Sequence, residues 1–142
     1  MTELPRHSVS VVGIVLDEQR QVLAIRRRDN GQWQPPGGIL ELGETITDGL
    51  RREVLEETTV HVEPERLTGV YKNMPRGVIA LTFRCRLVSG TPAPTDEATE
   101  VRWLTLDQVA TLMTPAFTVR VTDALVAGHP SVRVHDGTDL LA

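Results

Sequence analysis

The sequence predicts an α+β domain in which helices pack on a mixed β-sheet. Three observations carry this. Strand-like runs outnumber helical ones, they do not alternate with helices as regular βαβ units, and one strongly periodic helix follows a Pro/Gly-rich turn. A length of 142 residues suits one domain over 1–142, with its core at about 6–127 and a polar, loosely held tail at 128–142.

Each element has a local reason. His7 to Leu16 is Val-rich and alternates, so it reads as a strand. Asp17-Glu18-Gln19-Arg20 is a polar turn, and Gln21 to Arg27 completes a hairpin. Asp29-Asn30-Gly31 breaks that strand. Pro35-Pro36-Gly37-Gly38 forbids helix and sets a tight loop. Thr45 and Asp48 have the spacing of a helix cap, and Ile46, Leu50 and Val54 form an apolar stripe, so a helix runs from Thr45 to about Thr58. Leu67 to Tyr71, Val78 to Val88 and Glu100 to Leu104 read as strands. A helix starts at Thr105-Leu106-Asp107, and Pro115 to Ala127 reads as the last one.

Composition narrows the function classes. A net charge of -4 with both signs mixed argues against a nucleic-acid polymer as partner, because such binding rests on clustered Lys and Arg. No run approaches the ~20 apolar residues of a membrane span, and the start lacks a signal-like pattern, so a cytoplasmic protein without a membrane partner is expected. The single cysteine, Cys85, reads as a buried strand residue. A homodimer is left open.

The chemistry concentrates on the first helix. Glu53, Glu56 and Glu57 stand at i, i+3 and i+4 and share one face at the rim of the apolar stripe. Such a trio is either a solvated acidic face paired with Arg51 and Arg52 or a ligand set for a hard cation such as Mg²⁺ or Mn²⁺. Gly49, one turn earlier, leaves room beside them for an ion or a phosphate.

The run from Gly38 through Glu44, Arg52 and Glu53 to Glu56, Glu57 and Val60 resembles the signature box of the Nudix hydrolases. It departs from that pattern only at Thr59, where the family has Gly. The resemblance implies an α/β/α sandwich around a mixed sheet and Mg²⁺-dependent cleavage of a diphosphate linked to another moiety. It implies Glu53, Glu56 and Glu57 as metal ligands, with the Gly37 carbonyl and Glu97 joining them. Glu44 and Arg52 brace the loop against the helix, and Glu53 is the first choice for the general base, with Glu97 its rival. The Gly at the Thr59 position serves the helix exit, so a β-branched residue there predicts a slightly different exit.

Substrate contacts are expected outside the acids. Arg26 and Arg28 point to one side of their strand by alternation, and Arg27 to the other; Arg binds phosphates bidentately. Gly38 brings backbone close to what the helix holds. Trp33 either stacks on a base or packs in the core. Pro75 lies where the resemblance to ADP-ribose pyrophosphatases places a proline. The expected substrate is a small nucleoside diphosphate derivative, either ADP-ribose or another nucleotide sugar, or a nucleoside triphosphate. A non-catalytic nucleotide sensor on the same fold is the alternative.

Overall fold

The computed structural model describes residues 3–142. The elements are β1 (Ser8–Leu16), β2 (Val22–Arg27), β3 (Trp33–Gln34), β4 (Gly37–Ile39), α1 (Ile46–Thr58), β5 (His61–Asn73), β6 (Val78–Ser89), β7 (Ala98–Leu104), α2 (Leu106–Leu112), α3 (Pro115–Ala124), β8 (Ser131–His135) and β9 (Leu140–Leu141). All strands join one sheet in the order β3-β2-β1-β6-β5-β8-β9, with β4 against β1 and β7 against β2. The sheet is mixed: β1–β6 and β5–β8 run parallel and the other pairs antiparallel.

Side-chain alternation along β1 divides the core in two. Val11 and Val15 face Leu50 and Val54 of α1, together with Leu23, Ile25, Val60 and Cys85. Val12 and Ile14 face the other way, toward Val109, Met113, Val121 and Ala124 of the α2–α3 side. The result is the three-layer α/β/α arrangement. Cys85 is buried, and burial pushes its thiol up to about 12. Among the described residues no helix is long and apolar enough to cross a membrane.

Four expectations change. β5 begins at His61, because Pro64 is accommodated where the β5–β6 register shifts and the ladder is already irregular. Ile46 is 42% exposed, so the buried stripe of α1 begins at Leu50. α3 stops at Ala124, short of Ala127. The stretch after Gly128, read as a loosely held tail, forms β8 and β9: β8 pairs with β5 from Gly69↔Ser131 to Asn73↔His135, and backbone pairing orders a segment whose composition looks like a tail.

Candidate active site

Two backbone devices set the acids in place. Thr45 caps α1 by accepting from the Asp48 N–H at 3.2 Å, which fixes where the helix starts and therefore which face Glu53 and Glu57 occupy. β4 then runs against β1, pairing Val11 with Gly38 and Val12 with Gly37. A Cβ at Gly37 would meet the Val11 carbonyl oxygen, and one at Gly38 would meet the Glu53 carboxylate. Gly37 needs glycine because fixed backbone fills the space, whereas at Gly38 it is the position of the Glu53 carboxylate that needs it. Gly49 has a different use from the one expected. A Cβ there would lie 2.5 Å from Leu40 and 2.8 Å from Glu44, so the gap admits these two side chains and not an ion.

Glu53, Glu57 and Glu97 present oxygen atoms that all lie within 4.8 Å of one another. Glu57 is 5% exposed and accepts the Gly37 N–H at 2.7 Å. Burial, reinforced by the neighbouring Glu53 and Glu97 charges, pushes its carboxyl up to about 8 against the pull of that hydrogen bond. Burial also raises Glu53, opposed by the Arg52 guanidinium at 2.9 Å. Glu97 comes from the loop before β7. That loop is tied to the end of α1 by Thr95, whose hydroxyl donates to the Glu57 carbonyl at 3.2 Å and accepts from the Glu97 and Ala98 N–H groups.

Arg52 organises the rim. Its guanidinium forks onto Glu44 at 2.6 and 2.9 Å and also reaches Glu53, Glu56 and the Ile39 carbonyl. The fork, aided by the Glu41 N–H, holds Glu44 down to about 2. Glu56 stays outside the cluster, half-exposed and paired with Arg52 at 3.2 Å. The helix face thus splits: Glu53 and Glu57 turn inward, and Glu56 turns toward solvent against Arg52.

The carboxylates open into a cavity of about 700 Å³ lined by Arg27, Arg28, Gly37, Gly38, Ile39 and Glu97 among others. Arg28 lines it while donating to the Thr95 and Asp96 carbonyls. Arg26 does not; it pairs with Glu100 at 3.1 Å. Arg27, which alternation separates from Arg26, lines the cavity because it continues the Leu23 and Ile25 face of β2, which packs toward α1. Its partner is Asp29 at 2.6 Å. Trp33 packs in the core at 8% exposed, with the Arg102 guanidinium 5.6 Å from its ring centre, and does not line the cavity. Pro75 is exposed in the turn between β5 and β6, also away from it. Thr59 keeps the left-handed helix exit despite its branched side chain (φ 65°). Its hydroxyl donates to the Thr91 carbonyl at 2.6 Å.

A family model described as NUDIX domain matches residues 6–125. The chain belongs to the Nudix family. A MutT-like protein of Streptomyces ambofaciens is 51% identical to this Nudix chain over 140 residues, covering 99% of it and 91% of the relative. An ADP-ribose pyrophosphatase of Methanocaldococcus jannaschii is 31% identical over 113 residues, covering 75% of this chain and 67% of the relative. A human 8-oxo-dGDP phosphatase is 40% identical over 91 residues, a span of 62% of this chain and 28% of that larger protein. The crystal structure of an ADP-ribose pyrophosphatase from Streptococcus suis superposes with a TM-score of 0.74 at 23% identity, over 92% of this chain and 100% of that one; this likeness concerns the fold. Family and relatives together make the chain a Nudix pyrophosphohydrolase.

The donor set fits a hard divalent cation. All its atoms are carboxylate oxygens, they converge, and two of the three groups are raised by burial, so a positive charge there relieves both repulsion and desolvation.

Proposed function

We propose that the chain hydrolyses a diphosphate linkage in a nucleoside diphosphate derivative, with Glu53, Glu57 and Glu97 holding Mg²⁺ or Mn²⁺. The observation that carries this is the convergence of three carboxylates, two of them largely buried, at one end of a cavity whose other polar walls include Arg27 and Arg28. Bound there, the cation supplies charge neutralisation on the phosphates and acidifies the attacking water. Arg27 and Arg28 orient the diphosphate through their guanidinium groups. Glu53 takes the proton of the attacking water. It stands against Gly38 on the cavity wall, beside the Glu57 and Glu97 carboxylates. Glu44 and Arg52 act through Glu53 by fixing its carboxylate, and the Gly37 carbonyl is a further candidate ligand.

Two substrate classes follow from the relatives: ADP-ribose or another nucleotide sugar, and a nucleoside triphosphate, oxidised or not. Turnover of both is measured with Mg²⁺. Release of pyrophosphate marks the triphosphate, and AMP with ribose phosphate marks ADP-ribose. Glu53→Gln and Glu57→Gln are expected to lose about 10²–10⁴ in kcat, and Glu56→Gln less, because Glu56 stands outside the cluster. Undiminished turnover in both Glu53→Gln and Glu57→Gln would falsify the assignment and favour a nucleotide sensor.

A further inference from the structure

Behind β4 lies a second cavity of about 220 Å³ that shares Arg27, Gly37, Gly38 and Ile39 with the first. Its lining includes Arg76, Phe117, Arg120 and His135, and no carboxylate among the described residues. Arg120 is 5% exposed and His135 3%. The Arg120 guanidinium lies 5.1 Å from the Tyr71 ring centre and 4.9 Å from that of Phe117. Its Nε has no hydrogen-bond partner among the described residues, and no acidic group pairs with it; Asp123, the nearby carboxylate, is taken by Tyr71 and Arg133. A buried guanidinium without an anion is costly to a fold and needs a reason.

His135 supplies the second observation. The Gly137 N–H donates to its Nδ1 at 3.0 Å. A neutral ring accepts at one nitrogen only. Nε2 faces Nη2 of Arg120 at 3.2 Å, so both ring nitrogens meet donors and one of these donors is left without an acceptor. Burial and the Arg120 charge hold the imidazole below its ordinary pKa, so the ring is neutral near pH 7. A buried donor is therefore left over beside the partnerless Arg120 Nε on the wall of this cavity, and a ligand oxygen that accepts there removes the conflict.

We propose that Arg120 and His135 form an oxygen-acceptor subsite, one strand away from the carboxylates, that selects the moiety attached to the diphosphate by an oxo or anionic oxygen. This rests on the hydrolase reading for its place in the reaction. The cavity is smaller than the ~300 Å³ at which pockets for whole ligands begin, so it takes one ring or one anionic group. Two sources share the chemistry. A 6-oxo purine presents two adjacent acceptors where adenine presents an acceptor and a donor. A phosphate or carboxylate presents anionic oxygens.

The test is calorimetric titration of the full chain with GMP, AMP and inorganic phosphate in EDTA. Divalent cation is excluded, so its result is separate from the turnover of the Glu53 and Glu57 variants. The wild type is expected to bind GMP roughly tenfold more tightly than AMP if the oxygen is a ring carbonyl. It binds GMP and AMP alike, with phosphate competing, if the oxygen is anionic. In either case Arg120→Met loses the binding by about tenfold or more while its Tm is unchanged or raised, because an unpaired buried charge has been removed. His135→Leu loses part of it. Affinities in Arg120→Met equal to those of the wild type, or no binding of any of the three probes to the wild type at millimolar concentration, overturns the proposal.

Discussion

The Gly37 N–H and the Glu57 carboxylate meet at 2.7 Å, joining β4 to the helix that carries the acids. One group of the sheet thus holds a buried carboxylate whose pKa stands at about 8. A folded-state pKa above the usual carboxylate value means that the folded chain keeps a proton which the unfolded chain releases. This stability is fully present below about pH 4.5 and is lost as pH rises through about 8, by at most ~5 kcal/mol. In EDTA, the melting temperature should fall between pH 5 and pH 8, and Glu57→Gln should flatten that fall. Mg²⁺ should raise the melting temperature more at pH 8 than at pH 5, because the cation binds the ionised form. A melting temperature that rises with pH in EDTA contradicts this account of Glu57.

Gly37→Ala and Gly38→Ala should fail differently. The added methyl at Gly37 meets the backbone of Val11 and Val12, which cannot move without breaking β1. That should cost about 1–3 kcal/mol or more, read by urea denaturation. The methyl at Gly38 meets the end of the Glu53 side chain, which can swing away. Stability should change little there, while kcat falls about 10²-fold through misplacement of one carboxylate.

Arg52→Lys keeps the charge and loses the fork onto Glu44. Turnover should fall about tenfold or more. Glu44 is held at about 2 in the wild type, so it is ionised throughout pH 4–9. The deficit should therefore be the same across that range. A deficit that vanishes at high pH would place the role of Arg52 elsewhere.

Thr59 occupies the left-handed region at φ 65°, a strain of about 1–3 kcal/mol for a side chain with a Cβ. Its hydroxyl bond to the Thr91 carbonyl offsets part of that. Thr59→Ala keeps the strain and loses the bond, so it should be less stable than the wild type. Thr59→Gly should exceed Thr59→Ala by about 1 kcal/mol in chemical denaturation. Equal stability of the two variants would mean that the exit conformation carries no strain.

The parts of the fold and site that could be read from sequence are those with local causes. The start of α1 is written in Thr45 and Asp48, and the glutamate face follows from helical spacing. Glu97 could be named only through the family resemblance, since its approach to Glu57 depends on a loop tied by Thr95. Arg27 could not be ranked above Arg26, because alternation separates the two without saying which face of β2 meets α1; that is set by the packing of Leu23 and Ile25 against Leu50 and Val54. The same holds for Thr59, whose left-handed exit persists because Thr91 is close by. Arg120 and His135 read as an ordinary helix residue and an ordinary tail residue; only the pairing of β8 with β5 brings them together.

β8 has one more consequence. The family match ends at residue 125, and His135 stands beyond it on a strand added to the far edge of β5. Arg120 lies inside that match together with the acids, and His135, the other donor that would choose the molecule, lies past it. Replacement of the last few turns of chain can retune what the enzyme accepts while leaving how it cuts untouched, so appetite and bite can be inherited separately.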